Sequence, residues 1–340
     1  MTDLPETEDK VEAEPNGVVR RWLAEINNAS KREQKWRREA EKAEDIYSDE
    51  EDKVRFNILF SNTQTLAPAL YNTTPRPDVR RRFGDADPIG KVVSEVLERC
   101  LSYSVDSYDF DATIDACILD YLLPGRCVAR VRYRPTYGGA QRDRIPVQES
   151  TDVEGNMVYA GPDGIVEDVQ YDEAGAFTEG EEYEPVVYEE AVCDRVQWDD
   201  FRILGGARVW KHVTAIAFRH QMTRKEMITE FGDVGSEAPL NAEKTKDEEL
   251  QDVQKGEVWE VWDKTKRRVL FVMQGFDKPL KVMDDPLKLE GFFPIPEPLL
   301  SIRKPRSLIP KPEYFIYKQQ ADDLNRVSTR ISRLTASIKA

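Results

Sequence analysis

The chain has 340 residues, enough for one large or two ordinary domains, and 40% of them are apolar. Its formal net charge of −15 at pH 7 argues against tight DNA binding by the whole surface, because phosphate neutralisation supplies most affinity for nucleic acids. Loose passage of DNA along an acidic wall remains compatible with this charge.

The sequence contains no signal for secretion, membrane insertion or a cysteine-based metal site. Residues 1–17 are acidic and lack an apolar core, and no apolar run approaches the roughly 20 residues that span a bilayer. We therefore expect a soluble protein made inside the cell, with no cofactor. The cysteines lack metal-knuckle spacing, so reduced and mostly buried thiols are expected. They are Cys100, Cys117, Cys127 and Cys193.

The N-terminal part reads as a tail and one long helix. Residues 1–16 are acidic and contain proline, a composition typical of disorder. From Val18 to Tyr47, apolar residues such as Trp22 and Trp36 recur at steps of three and four, with Glu33 as the polar break. This narrow stripe predicts packing on a single neighbour. The basic residues alternate with glutamates, which favours a solvated salt-bridge face over a DNA-binding face. They are Lys31, Arg32, Lys35, Arg37 and Arg38.

Residues 55–83 begin as an amphipathic helix and end in a proline-punctuated arm. Pro75 and Pro77 keep the following residues extended and stop any helix. The arm carries four arginines, which suits it to contacting another surface better than to building a core. These arginines are Arg76, Arg80, Arg81 and Arg82.

Two helices and a strand follow, and then a strongly acidic stretch. Asp87-Pro88 marks the start of the first helix. One face of this helix carries Val92, Val96, Cys100 and Tyr103. The second helix runs from about Phe110 to Leu122. After Pro124-Gly125, CVARVRYR alternates as a half-buried strand. Residues 149–190 contain many acids and no lysine or arginine, so we expect an exposed, loosely ordered hairpin excursion. The residue ladder of a calcium loop, the alternative interpretation, is absent.

The C-terminal half alternates strands, turns and helices. Strands are predicted within Val186–His220, followed by a short helix with Thr223 as N-cap, Glu226 in a capping box and Gly232 as its stop. Residues Glu257–Gly275 read as a hairpin, and 276–312 as a proline-rich irregular crossing. A one-sided helix is predicted from Glu313 to Ala340. No stop signal follows it, so we expect the chain to be part of a longer one.

The sequence shows no common catalytic motif. His212 and His220 lie in strand-like stretches and do not have the spacing of a triad. The nearest nuclease-like signal is an aspartate series, but its members fit the start and one turn of a single helix, which favours capping over metal binding. A metal-dependent nuclease or phosphohydrolase on these residues is the alternative function. The series is Asp106, Asp109, Asp111, Asp115 and Asp120, and the alternative enzyme would use the last four.

Several blocks in order resemble the portal proteins of short-tailed bacteriophages. The first is RFNILFSNTQTLAPALYNTTPRPDVRRRF. It is followed by DPIGKVVSEVLERCLSY, DATIDACILDYLLPGRCVARVRY, VQWDDFRI, MTRKEMITEFG, GEVWEVWDK and PEYFIYKQQADDLNRVSTRISRL. Together these blocks cover about residues 50–340, so the likeness extends over most of the chain.

The resemblance implies an α+β subunit of a ring, generally of twelve copies, at one capsid vertex. It implies a disordered tail over 1–16, a wing over 17–230 that includes the excursion, and a β-hairpin clip region with the proline-rich crossing over 231–312. A stem or channel helix over 313–340 would continue beyond this chain. The implied protein is not an enzyme; it is made in the host cytoplasm and ends in the virion, where it serves genome packaging and DNA ejection.

The resemblance also implies partners. The clip would dock the large terminase subunit, and tail adaptor or head-completion proteins would follow, beside major capsid and scaffolding proteins. Double-stranded DNA would pass through the channel without sequence preference, and no membrane is involved. A non-portal virion adaptor or scaffold protein is a further alternative, although the predicted strands argue against an all-helical scaffold.

Three groups of residues are predicted to carry these contacts. For the subunit interface we predict Arg76, Arg80, Arg81, Arg82, Trp22 and Trp36. For the clip surface that faces terminase or adaptor we predict Glu257, Trp259, Trp262, Asp263 and Lys264. The channel or DNA-facing residues are Arg326, Arg330 and Arg333, for which salt bridges between subunits are an equal alternative.

Overall fold

A computed structural model describes the chain over residues 15–48, 56–81, 88–107, 109–151, 157–161, 164–166, 169–172, 175–240 and 254–339. The chain divides into two compact units. Unit 1 comprises Met1–Val131 and Cys193–Ala340, and unit 2 comprises Arg132–Val192. Helices and antiparallel strands are mixed along the chain, so the fold belongs to the α+β class that the sequence predicts.

The helices in the described ranges are α1 (Pro15–Ser48), α2 (Ile58–Leu70), α3 (Pro88–Ser107), α4 (Phe110–Leu122), α5 (Arg224–Phe231), α6 (Asp233–Glu237) and α7 (Tyr314–Lys339). The strands are β1 (Arg126–Tyr137), β2 (Gln141–Pro146), β3 (Gln148–Thr151), β4 (Met157–Gly161), β5 (Gly164–Val166), β6 (Gln170–Asp172), β7 (Gly175–Tyr183), β8 (Val186–Val196), β9 (Phe201–Ile203), β10 (Ala215–Thr223), β11 (Lys255–Asp263), β12 (Arg268–Met273), β13 (Lys281–Asp284) and β14 (Leu299–Leu300).

The centre of unit 1 is an antiparallel sheet in the order β13-β12-β11-β10-β9. Its three long strands are apolar on both faces, as expected for strands that are covered on both sides. Alternate residues point to opposite faces, so Trp259 and Val261 pack in one cluster while Val258 and Trp262 pack in another.

Helix α1 covers the first face of this sheet. Its residues Trp22 and Ile26 are buried in the cluster that contains Trp259 and Leu270. The other face is covered by α5 and by the irregular chain around Phe292. Two-sided burial of this kind supplies most of the stabilisation of unit 1, because buried apolar area is the dominant favourable contribution to folding.

Helix α5 confirms the capping signals read from the sequence. Thr223 accepts a hydrogen bond from the backbone of Glu226, whose carboxylate accepts one in return from the Thr223 backbone N–H at 2.7 Å. Gly232 follows the helix with a φ of +60°. Nearby, a Cβ on Gly235 would lie 2.1 Å from the Met227 carbonyl oxygen, so only glycine fits this close approach of α6 to α5.

Unit 2 is built from short antiparallel strands. They form two three-stranded sheets in the orders β2-β7-β6 and β3-β4-β5. The acidic excursion predicted at 149–190 is therefore a set of hairpins in its described parts. Acidic residues on β7 face the basic residue Arg142 of β2, which pairs with Glu179 at 2.9 Å and with Glu182 at 3.0 Å.

The hairpin in which the clip is predicted belongs to the main sheet of unit 1. The predicted hairpin is present, because β11 and β12 pair antiparallel from Val258↔Met273 to Asp263↔Arg268. However, β11 also pairs along its whole length with β10, from Ala215↔Asp263 to Thr223↔Lys255. The hairpin is thus the middle of the main sheet rather than a small region beside it. The residue pattern of β11 and β12 alone could not reveal that β10, which is separated from them in the chain by α5 and α6, pairs with β11.

The structure also bears on the predictions for the tail, the cysteines, the proline-rich crossing and membrane-spanning helices. The tail predicted at 1–16 lies mostly outside the described residues, and Pro15 and Asn16 belong to α1. The four cysteines are free; Cys117 and Cys127 are buried, whereas Cys100 is exposed on α3. The crossing at 276–312 is mostly irregular, as predicted, apart from β13 and β14. None of the described helices has the combination of length and apolarity that a bilayer span requires.

Candidate assembly surfaces

The apolar stripe of α7 is uncovered. Its five members recur at steps of three and four and are exposed by 45% to 84%. This is the spacing of a coiled-coil seam, in which each side chain fills a hole on a facing helix. The described residues leave the stripe uncovered, although its spacing is typical of a face that packs on another helix. Its members are Leu324, Val327, Ile331, Leu334 and Ile338.

The first turns of α7 are anchored to unit 1, whereas its later turns are not. Tyr314 and Ala321 are buried in a cluster with Ala43 of α1 and Leu59 of α2. From Arg330 to Ile338 every residue is exposed. The anchor fixes the direction of the helix, so the stripe is presented on a held element rather than on a free tail.

Helix α3 presents a second uncovered apolar face. Val92, Val96, Cys100 and Tyr103 share this face, as predicted, and all four are exposed. Ile89 at its start is exposed by 71%. No described residue of α3 is buried. Large contiguous apolar surfaces of this kind usually mark contacts with another molecule.

The arm after α2 is tied to α4 by one carboxylate. Asp111 accepts hydrogen bonds from the hydroxyl of Tyr71 and from Thr74 Oγ1, the latter at 2.7 Å and 2.8 Å. The bond from Tyr71, followed by that from Thr74, lowers the pKa of Asp111. Farther along, the Val79 backbone N–H donates to Glu98 of α3 at 3.3 Å. The arm is therefore held at its base and near its end.

The arm arginines have different surroundings. Arg80 pairs with Asp78 of the same arm at 2.6 Å, and both side chains are largely exposed. Arg76 and Arg81 are exposed as well. Arg82 lies outside the described residues. An exposed pair such as Arg80–Asp78 contributes little to stability, so the Arg80 guanidinium can exchange this partner for another at small cost.

Trp36 belongs to the core of unit 1 and not to a surface. Its side chain is 2% exposed, and its indole N–H donates to the Pro124 carbonyl at 2.8 Å. The Arg126 guanidinium lies 4.2 Å from the ring centroid, and Trp198 packs edge-on at 5.4 Å. Trp22 is likewise 4% exposed, against the sheet. The interface role predicted for both tryptophans is wrong, since the neighbour of the α1 stripe is the chain's own sheet.

A buried ion-pair network surrounds Trp36, and sequence reasoning missed it. Arg126 is 0% exposed and donates to Glu33 at 2.6 Å, and Arg37 also contacts Glu33, at 3.3 Å. Burial would raise the pKa of Glu33, yet the Arg126 guanidinium lowers it below its ordinary value. The available signal was Glu33 itself, the single polar break in an apolar stripe. A charged residue at such a position implies a buried partner of opposite charge.

Burial separates Arg37 from the other basic residues of α1. Arg37 pairs with Asp199 as well as Glu33, and burial together with nearby Arg202 lowers its pKa to about 9. Lys31, Lys35 and Arg38 are exposed, and in the described ranges none of them forms an ion pair. Among these five basic residues, the ion pairs in the described ranges are therefore those of Arg37 with Glu33 and Asp199, and not a solvated face of α1.

The five predicted clip residues are mostly buried. Trp259 and Trp262 are 5% and 2% exposed, on opposite faces of the sheet. Asp263 shapes the hairpin turn, since its Oδ1 accepts from the Thr265 backbone N–H at 3.1 Å. Glu257 accepts from the Trp259 indole at 2.8 Å. Lys264 is exposed at the turn, so of this group it offers the most side chain to a partner.

A second buried carboxylate lies in the same sheet. Glu260 accepts two hydrogen bonds from Arg130, at 2.7 Å and 2.8 Å, and contacts His220 Nε2 at 2.8 Å. Burial would raise the pKa of Glu260, but the contacts with His220 and Arg130 lower it to about 2. The Trp262 indole N–H also donates to this carboxylate, at 2.7 Å. His220 therefore has a structural partner.

The predicted channel arginines lie beside the α7 stripe and not within it. At 3.6 residues per turn, Arg326, Arg330 and Arg333 point roughly 110° away from the apolar residues. Arg326 pairs with Asp323 of the same helix. Arg330 and Arg333 are exposed. Packing of the stripe against another helix would thus leave these guanidiniums accessible.

The aspartates of the nuclease alternative do not share a site. Asp111 holds the arm, and Asp120 is buried in a two-bond pair with Arg195 at 2.6 Å and 2.7 Å. Asp109 is the N-cap residue of α4, and its side chain makes no capping hydrogen bond. Within the described ranges, no three or more His, Cys, Asp or Glu side chains are placed to hold one metal ion.

Comparisons with known proteins do not assign the chain to a family. A scan against protein-family models found no match, and no curated protein shows significant sequence similarity.

Proposed function

We propose that this chain is the subunit of a portal-type ring, a non-enzymatic conduit for double-stranded DNA at a phage capsid vertex. The observation that carries the proposal is the uncovered coiled-coil stripe of α7, exposed by 45% to 84% on a helix whose first turns are anchored in the core. A stripe of this spacing needs a helical partner, and a sister copy supplies one with the same residues.

Three further features support a ring of sister copies. Helix α3 offers a second apolar face, so each copy has two distinct surfaces, as head-to-tail closure requires. The arm with its arginines could pair with acidic side chains of a neighbour, because the whole chain has a charge of −15. The same acidity would let DNA slide without sticking. The portal class itself is proposed from the sequence blocks that resemble portal proteins and keep their order along the chain.

The first prediction tests assembly directly. The purified 340-residue chain should form closed rings in negative-stain electron microscopy, with one dominant mass in native mass spectrometry. The resemblance to portal proteins implies about twelve copies. The double variant Ile331→Glu/Leu334→Glu places two charges in the seam and should shift the mass to small species. The seam should lose most of its association energy, because each charge would have to be buried without a partner.

A matched variant controls for the added charge. Ser332→Glu/Ser337→Glu adds the same two charges to exposed positions of α7 outside the stripe and should leave the rings intact. Circular dichroism should show that both variants keep the fold. Monomers of the unaltered chain at high concentration, or rings that tolerate the seam charges, would refute the proposal.

A further inference from the structure

The structure contains a basic cleft in unit 1 that none of the roles above uses. The cleft has a volume of about 210 Å³ and lies between α1 and two irregular segments. Three arginines line it: Arg32 from α1, Arg208 from the segment after β9, and Arg306 from the proline-rich crossing. Three cations from separate parts of an acidic chain thus meet at one place.

The three guanidiniums are available to a ligand. Arg32 makes one long hydrogen bond, from Nη2 to the Ile203 carbonyl at 3.4 Å. In the part of the chain that the structure describes, Arg208 and Arg306 have no hydrogen-bond, ion-pair or ring partner. The Glu33 carboxylate at the base of the cleft is already engaged by Arg126 and Arg37, so it does not neutralise them.

The walls give the cleft a defined form. Gly206 has a φ of +68°, which favours glycine, and its backbone borders this cation, since a Cβ there would make an ordinary contact of 3.7 Å with the Arg32 guanidinium. Leu308 forms part of an apolar wall, and the Ser307 hydroxyl, which accepts from the Ile309 backbone N–H at 3.1 Å, retains its own proton to donate. The site therefore offers donors on several sides and an apolar wall.

From this arrangement we infer that the cleft binds a terminal phosphate, either inorganic phosphate or the phosphate of a monoester. Guanidiniums form paired, charge-assisted hydrogen bonds with phosphate oxygens. A terminal phosphate directs three oxygens in three directions, one for each of Arg32, Arg208 and Arg306. A carboxylate has two oxygens in one plane, and an internal phosphodiester has two unbridged oxygens. Both therefore offer three separate guanidiniums fewer acceptor directions, and less negative charge, than a terminal phosphate does.

The second prediction concerns this site. Isothermal titration of the 340-residue chain with inorganic phosphate should give saturable binding. Arg208→Gln/Arg306→Gln should weaken it about tenfold or more, since charge-assisted hydrogen bonds are lost. The matched control is Arg303→Gln/Lys304→Gln, which removes two exposed cations from the same crossing outside the cleft. It changes the net charge equally and should bind phosphate as the unaltered chain does.

Further titrations identify the source of the phosphate. A short oligonucleotide with a 5′-phosphate should bind at least about tenfold more tightly than the same strand without it. Tighter binding of inorganic phosphate than of this strand would assign the site to the free ion. Three results would overturn the inference. The two strands could bind equally tightly, the chain could bind a glutamate peptide but not phosphate, or the two double variants could lose equal affinity. Because Ile331→Glu/Leu334→Glu leaves the cleft intact, titration of that variant separates this result from the test of ring assembly.

Discussion

Buried charged side chains join α1 to β1 and to the segment before β9. Arg126 of β1 is fully buried and contacts Glu33 of α1 as well as the Trp198 and Phe201 carbonyls, at 3.1 Å and 3.2 Å. Removal of either charge would leave the other buried without a partner, which typically costs several kcal/mol. A buried ion pair adds little net stability over apolar packing, so we expect the network mainly to fix where α1 meets β1.

The third prediction concerns Glu260 and acid stability. Its folded pKa of about 2 lies below its ordinary value of 4.5, so its stabilisation is fully present above pH 4.5 and is lost as the pH falls towards 2. The difference corresponds to on the order of 3 kcal/mol. Urea unfolding at pH 7 and at pH 3 should show that Glu260→Gln is destabilised at pH 7 but loses less stability on acidification than the unaltered chain.

Glu257→Gln on the same strand is the control for this change. Its side chain is only partly buried, and it contacts an indole rather than a guanidinium. It should therefore keep the acid dependence of the unaltered chain. If Glu260→Gln shows the full acid-induced loss, the contacts with Arg130 and His220 do not stabilise the ionised carboxylate.

At the scale of elements, local signals predicted the described structure well. Helix α1, the capping box of α5 and the hairpin of β11 and β12 depend on periodicity, caps and turn residues within a few positions. What the sequence could not show was the partner of each element. An apolar stripe predicts burial but not whether the chain itself supplies the cover, as it does for Trp22, or leaves the stripe exposed, as it does for Ile331.

The same limit applies to the candidate sites. Arg37 and Arg38 are adjacent and chemically identical, yet one is buried in a network and the other is exposed. The phosphate cleft combines α1, the segment after β9 and the proline-rich crossing, which are far apart in the sequence. No pattern of residue spacing in the sequence relates these segments, because tertiary packing within unit 1 brings them together.

The fourth prediction tests how the arm is held. Asp111→Ala removes the acceptor of Tyr71 and Thr74 at the base of the arm, so the arm should open more often. Limited trypsin digestion should then cleave after Arg80 and Arg81 roughly several-fold faster. Asp115→Ala, an exposed change one turn later on α4, should cleave at the rate of the unaltered chain. Equal rates for both variants would show that Asp111 does not restrain the arm.

At the scale of the whole molecule, charge and apolar surface oppose each other. Each copy has a net charge of −15, so copies repel one another, while the stripes of α3 and α7 favour association. Salt weakens repulsion between copies and leaves apolar contacts intact. Arm arginines that paired with a neighbour's acids would instead be weakened by salt. The change in assembly with ionic strength therefore distinguishes apolar contacts between copies from arginine–carboxylate pairs.

The fifth prediction follows from this opposition. The Debye length falls from about 10 Å at 0.1 M salt to about 3 Å at 1 M, which screens most repulsion between copies. Sedimentation velocity should therefore show a larger assembled fraction at the higher salt. Ile331→Glu/Leu334→Glu should remain small at both salts, because its defect is in the seam. Weaker assembly of the unaltered chain at high salt would mean that arginine pairs, and not the α7 stripe, hold the copies together.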